Sequence, residues 1–379
     1  MTLIHSARLI TSGAVQEDAW VRFDGDTVAE IGSGQWPSGY EEIDAGGGIL
    51  TPGFIDLHAH GGGGASYDGD AEGITHALSV HHAHGTTRAV LSLVTSTPEK
   101  LCDQLGLIAD LSERNPLILG SHLEGPYLDH AHRGAHAPEL LADPTPADID
   151  ALLDAARGTL AQVTMAPEKP GAMAAIDRLV GNGVRVAVGH TAAGYDEALA
   201  AFDAGASILT HAFNAMDGIH HRAPGPIGAA LQREHVTIEL INDGVHVHPV
   251  VAKMLWDAAP GRAALITDAM AAAGSADGEY MLGSLAVRVE QGTARLVEGG
   301  AIAGSTLTLD AALRQSVDVC GVPLVWAVDA LTRIPARALG RGDLGRLEKG
   351  SAADAVLLTE DLEVRRVWGA GRALHTSGA

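Results

Sequence analysis

His58-Ala59-His60 closes the apolar run Ile49-Leu50-Thr51-Pro52-Gly53-Phe54-Ile55-Asp56-Leu57. On an extended strand, side chains two residues apart point to the same face, so both imidazoles can grip one metal ion. The spacing alone is weak evidence, because the chain holds 19 histidines and pairs such as His81-His82 arise with no evident role. Its strength comes from recurrence: Glu124 follows PLILGSHL, His190 follows VRVAVG, His211 follows SILT and Asp268 follows AALIT. Imidazole and carboxylate together suit zinc or a similar divalent ion, and one carboxylate can bridge two ions. Glu124 is the candidate bridge. A divalent ion lowers the pKa of water from 15.7 to about 7. Asp268 would then take the proton from the nucleophile and return it to the departing nitrogen of an amide. Taken singly, each histidine reads as a core residue and Asp268 as an N-cap ahead of AMAAAG. Taken jointly, they read as a site.

The elements that must position these groups are visible as alternation. Eight β-type runs, GILTPGFIDLH, TTRAVLSLVT, PLILGSHLE, AQVTMA, VRVAVGH, SILTHAF, VTIELIND and AALITDA, are separated by helical patterns such as AEGITHALSVHHAH and AMAAIDRLVGNG. This predicts an α/β fold: an eight-stranded parallel β/α (TIM-type) barrel over residues 51–336, with its chemistry at the carboxyl ends of the strands. Residues 1–50 and 337–379 alternate apolar and polar positions between Gly- and Asp-rich turns, and are expected to form one small β-sandwich domain. A further strand-rich piece, EYMLGSLAVRVEQGTARLVEGGAIAG, is expected to form a hairpin beside the barrel. The tract Gly61 to Gly64 lacks a GK[ST] ending and reads as a flexible active-site loop without a ligand of its own.

Composition narrows the partners. Lys and Arg number 25 against 47 Asp and Glu, so the net charge of −22 opposes nucleic acid and anionic membrane surfaces. Cys102 and Cys320 are too few for a disulfide framework. No run approaches the roughly 18 to 20 apolar residues of a membrane span, and the N-terminus lacks a basic segment followed by a long apolar stretch. The expectation is a soluble cytoplasmic protein.

The segments PGFIDLHAHG, SHLEGPYLDHAHRGAHAP, VAVGHT, THAFNAM, DGVHVH and TDAM resemble the N-acetylglucosamine-6-phosphate deacetylases of the amidohydrolase superfamily, over nearly the whole chain. LEGP and HAFNAM are specific to that branch, whereas His-x-His and the strand-eight Asp are shared across the superfamily. The resemblance implies metal-dependent hydrolysis of N-acetylglucosamine 6-phosphate to glucosamine 6-phosphate and acetate. It makes Glu124, His190 and His211 metal ligands, Asp268 the acid/base, and His136 the residue that polarises the acetyl carbonyl. Some family members carry amides in place of the first-strand histidines and bind a single ion. The pair His58 and His60 therefore implies two divalent ions per subunit, zinc foremost, with iron, cobalt and manganese open.

The same resemblance assigns substrate contacts to Ala135, the backbone of Asn214 and Ala215, His246, and Leu307, Thr308 and Leu309 around the sugar. It also makes Arg222 a residue donated to the substrate phosphate across the interface of a homodimer. The stretch from His211 through His220, His221 and Arg222 to His246 and His248 is the most cation-capable of the chain, as a phosphate requires here. The loop Tyr127 to Pro138 is a candidate to close over substrate. Two rivals differ in what they need. Another amidohydrolase, acting on a cyclic amide or N-acyl amino acid, would share His58, His60 and Asp268 but not HAFNAM with Arg222. A catalytically silent scaffold would have lost ligands.

Overall fold

The computed structural model describes residues 1–377. Each of the eight apolar runs contributes a barrel strand: Phe54–Ala59, Thr86–Val94, Ile118–Glu124, Leu160–Met165, Arg185–Val188, Ile208–Leu209, Thr237–Ile241 and Ala263–Ile266. They pair in parallel and in chain order. Helices cover the outside of such strands and side chains fill the inside, which is why all nine residues of Thr86–Val94 are buried. Closure between the first and eighth strands rests on a few bonds. The Asp268 N–H donates to the His58 carbonyl at 2.8 Å, the His60 N–H to the Ala269 carbonyl at 2.7 Å, and the Thr267 hydroxyl to the Asp56 carboxyl at 2.6 Å.

Crossover helices return the chain from one strand to the next. Two of them, Pro98–Arg114 and Pro146–Ala156, start the same way: Thr97 or Thr145 accepts a backbone N–H of the first turn, and proline occupies the first helical position, where no donor is needed.

Strands from both termini form a second, eight-stranded mixed sheet, running from Thr2–Thr11 to Ile49–Pro52 and from Ala355–Leu358 to Arg372–Thr376. It has a core of its own that includes Ile4, Leu9, Phe23, Leu50, Leu357 and Trp368. The run expected as one first strand is cut at Gly53, so that Ile49–Pro52 belongs to this sheet and only Phe54–Ala59 to the barrel. A Cβ at Gly53 would lie 2.2 Å from Thr87 Oγ1, so glycine is what lets the chain pass from one sheet to the other. A buried ion pair ties the two units together. Arg88 Nε lies 2.7 Å from Asp354 Oδ2 and Nη2 3.1 Å from Oδ1, and the guanidinium also donates to the Pro116 carbonyl.

After the eighth strand the expected hairpin is a three-stranded antiparallel sheet, Gly278–Leu282, Leu285–Glu290 and Thr293–Leu296. The glycine tract corrects another expectation, because it is pinned rather than flexible. Gly61–Gly62 pairs with Ala65–Ser66, while the Gly61, Gly63 and Gly64 N–H groups donate to the Ala269, Ala273 and Ala271 carbonyls. His81 Nε2 and His76 Nε2 reach the Gly61 and Gly63 carbonyls at 2.8 and 3.0 Å. A Cβ at Gly61 would meet the Ala65 carbonyl at 2.2 Å, so these glycines serve close approach.

Candidate active site

Parallel strands all leave a barrel at one rim, and six of the singled-out residues meet there. His58 and His60 end the first strand, Glu124 is the last residue of the third, and His190, His211 and Asp268 sit two residues beyond the fifth, sixth and eighth. Those last three have left-handed backbones, with φ of 48°, 24° and 49°. Such strain in non-glycine residues persists only where the surroundings over-determine it, and here each turn directs a side chain back over the barrel mouth.

Glu124 is the hub. Its Oε1 lies 3.2 Å from His58 Nε2 and 3.1 Å from both His190 Nε2 and His211 Nε2. Its Oε2 lies 3.1 Å from His60 Nε2 and 3.4 Å from His136 Nε2. Asp268 Oδ1 completes the cluster at 3.3 Å from His60 Nε2 and 3.6 Å from His58 Nε2. Two ligand groups share Glu124: His58, His60 and Asp268 on one side, His190 and His211 on the other.

The partners behind the rings decide what each nitrogen offers. His190 Nδ1 faces the His132 carbonyl at 2.9 Å, and a carbonyl only accepts, so Nδ1 carries the proton and Nε2 presents a lone pair. That lone pair points at a carboxylate oxygen and, at 3.0 Å, at His211 Nε2. Electron pairs facing one another call for a cation between them, and nitrogen and oxygen donors of this kind suit a divalent ion. His136 is the opposite case. Its Nδ1 lies 3.4 Å from the Thr95 backbone N–H and 2.8 Å from the Thr95 hydroxyl, so Nδ1 accepts and Nε2 carries the proton toward the cavity.

The charge balance agrees. Burial pushes the Glu124 carboxyl up, but the imidazoles crowded around it, His58 foremost and then His136, His190 and His211, hold it well below the usual range. Burial also opposes ionisation of Asp268, and the neighbouring imidazoles of His58 and His60 overcome it, so this carboxyl too is lowered. His60 is held down by burial yet raised to about 9 by Asp268 and Glu124. The carboxylates therefore demand positive charge at this point. His136, by contrast, is lowered by burial to about 4 and is neutral near pH 7.

The cluster floors a cavity of about 400 Å³ whose walls include Ala135, His136, Asn214, Ala215 and His246. His132 joins them. The Tyr127 to Pro138 segment is anchored to the fifth strand's end, its Asp129 N–H donating to the His190 carbonyl at 2.9 Å. Leu307 and Leu309 have their side chains packed in the barrel core, and Thr308 turns its hydroxyl to Asp310 at 2.6 Å, so these three side chains stand back from the cavity wall. Leu282, Ile302 and Gly304, brought over by the three-stranded sheet and the segment after it, do line the cavity. Arg222 stands on an exposed turn outside the cavity of its own chain.

Sequence reasoning missed the supports beneath the site. Asp56, His122, Gln162 and Glu239 are polar residues inside otherwise apolar barrel strands, and each is fully or almost fully buried. His122 is held between Ser92 and Thr164 hydroxyls at 2.9 and 2.8 Å, and burial keeps it neutral. The available signal was a charged or amide side chain in the middle of a strand buried on both faces.

A family model for amidohydrolases matches residues 49–374. The chain belongs to the amidohydrolase family. It is 39% identical over 371 residues to an N-acetylgalactosamine-6-phosphate deacetylase of Escherichia coli O157:H7, covering 97% of each chain. It is 35% identical to the N-acetylglucosamine-6-phosphate deacetylase of Vibrio furnissii, covering 94% of this chain and 91% of that one. Among solved structures, an aspartate-to-alanine variant of the Mycobacterium smegmatis N-acetyl-D-glucosamine-6-phosphate deacetylase, in complex with N-acetyl-D-glucosamine-6-phosphate, superimposes with a TM-score of 0.95. It is 42% identical, and the match covers 99% of each chain. In this amidohydrolase, no helix among the described residues is long and apolar enough to cross a membrane.

Proposed function

We infer that this amidohydrolase removes the acetyl group of N-acetylglucosamine 6-phosphate, giving glucosamine 6-phosphate and acetate. The observation that carries the reading is the convergence of five imidazoles on Glu124, beside an ionised Asp268, in the floor of a cavity of about 400 Å³. The donor set fits two divalent ions, one held by His58, His60 and Asp268, the other by His190 and His211, with Glu124 common to both. Zinc is the first choice for such donors, and iron, cobalt and manganese accept them too. A divalent ion bound there polarises the acetyl carbonyl and makes water acidic enough to attack it.

The chain's own residues do the rest. Asp268 accepts the proton of the attacking water and passes it to the sugar nitrogen, without which the amine is a poor leaving group. His136 Nε2–H donates to the acetyl oxygen as negative charge develops on it. Asn214, Ala215, His246 and Ala135 orient the sugar from the walls. Among the described residues no Arg or Lys lines the cavity, so the phosphate's counter-charge is assigned to Arg222 of a second copy in a homodimer. A reducing, cytoplasmic setting suits two cysteines that are both free.

A second reading concerns the sugar. The Escherichia coli relative named for the galactosamine epimer is 39% identical over nearly its full length. Acetate release should therefore be measured from both epimeric 6-phosphates and from unphosphorylated N-acetylglucosamine, with metal content determined on the same sample. Strong preference for the glucosamine phosphate supports the first reading, and preference for its epimer the second. Equal activity on phosphorylated and plain sugar would sink both.

A further inference from the structure

Glu239 stands in the seventh strand, Thr237–Ile241, completely shielded from solvent, and it does not line the cavity. A carboxyl group in such a place is costly unless its oxygens are engaged. Its Oε2 lies 3.3 Å from His58 Nδ1 and 3.4 Å from the His211 backbone nitrogen. Its Oε1 accepts from Gln162 Nε2 at 3.0 Å. The Gln162 carbonyl oxygen has no partner, so the amide is turned to present its NH2 to Glu239. Both oxygens of Glu239 thus accept.

This fixes His58. A neutral imidazole has one N–H, and with an acceptor behind Nδ1 the proton sits there, leaving the Nε2 lone pair aimed at Glu124 and Asp268. The other rings of the cluster are held differently. His190 leans on a backbone carbonyl, while Nδ1 of His60 and of His211 has no hydrogen-bond partner among the described residues. Of the rings that hold ions, His58 is the one whose tautomer depends on a side chain, and that side chain also touches the backbone of His211 on the other ion's side.

We propose that Glu239 is the positioning residue that makes the His58 and His60 position competent to hold an ion, by locking His58 as the Nδ1–H tautomer. The inference rests on reading the cluster as a metal centre. It has an atom-level consequence. In Glu239→Gln, as long as the Gln162 NH2 keeps its direction, the new amide offers its oxygen there, so its own NH2 faces His58 Nδ1 and drives the ring proton to Nε2, where it blocks the ligand position. Adding Gln162→Glu reverses the chain of donors. The carboxylate now at position 162 accepts the amide NH2 at position 239, whose oxygen turns back to His58 Nδ1–H. The double variant has the composition and charge of the wild type.

The test is a zinc titration of metal-free wild type, Glu239→Gln and the double variant against a chromophoric chelator, with bound metal counted by mass spectrometry. Wild type should bind two ions. Glu239→Gln should keep one at wild-type affinity and bind the other about 10- to 100-fold more weakly, the usual effect of losing an outer support. The double variant should regain both. Two tightly bound ions both in Glu239→Gln and in a Glu239→Leu control, which has no acceptor behind His58 whichever way Gln162 turns, overturn the proposal. So does a double variant that fails to regain the second ion, because the carboxyl would then act through charge or packing at its own position. A wild type that binds no ion removes the metal-centre reading itself, a result recognisable before any variant is compared.

Discussion

Replacing His136 tests whether its proton, rather than its bulk, serves the reaction. Its ring accepts from Thr95 through Nδ1, at 3.4 Å from the backbone N–H and 2.8 Å from the hydroxyl, which leaves Nε2–H facing the cavity. Burial lowers its pKa to about 4, so near neutral pH it acts as a neutral donor. Loss of one such donor to a developing oxyanion costs about 10²- to 10³-fold in turnover, roughly 2.7–4 kcal/mol of barrier. His136→Ala should therefore lower kcat by that factor while KM stays within about threefold, because the contact strengthens only as the carbonyl gains negative charge. His136→Gln should recover part of the loss, since one amide offers an oxygen to the Thr95 N–H and an NH2 to the cavity. The assay is acetate release under saturating and limiting substrate, with metal counted in each preparation. A kcat for His136→Ala within about threefold of wild type would refute the donor role. Parallel loss of metal and turnover would make His136 a ligand instead, given its 3.4 Å approach to Glu124.

Asp268→Asn should retain substrate binding and lose about two to four orders of magnitude in turnover, the span of a general acid/base; near-wild-type turnover measured by acetate release would exclude it as proton carrier. Glu124→Gln removes the carboxylate common to both ligand groups and should weaken metal binding at least about 100-fold, beyond the effect of an outer support, as read by chelator competition. Arg222→Ala should raise KM for the phosphorylated sugar and comparatively spare kcat; an unchanged KM would free Arg222 of the phosphate role. Asp354→Ala leaves the buried Arg88 guanidinium unpaired, at a cost of about 3–5 kcal/mol. Calorimetry should then show a thermal midpoint lower by roughly 5–10 °C with kcat at 25 °C preserved, because the pair lies at the start of the second strand, away from the cavity.

His58, Glu124, His190, His211 and Asp268 were legible in the sequence because each follows an apolar run directly, and parallel barrel strands deliver all their carboxyl ends to one rim. Leu307 to Leu309 stand back from the cavity wall for the converse reason. They follow a three-stranded sheet, and nothing in a string of residues fixes how far the returning chain travels before it meets the cavity, which it does at Ile302 and Gly304. The cut at Gly53 was hidden because Ile49–Pro52 and Phe54–Ala59 are both apolar, and only the Thr87 side chain shows why the residue between them lacks a Cβ.

The deepest gap lies between residue type and proton position. His136 and His190 are both histidines at the same rim, with ring centroids 4.9 Å apart, yet one presents a proton to the cavity and the other a lone pair. The difference comes from a backbone N–H behind the first and a backbone carbonyl behind the second. Main-chain groups of this kind leave no mark in the sequence, so a motif can name the imidazoles but cannot say which of them binds an ion and which donates to substrate. His58 is the instructive exception. What stands behind it is the side chain of Glu239, and a carboxyl in the middle of VTIELI was there to be read as soon as one asked what a buried strand could want with it.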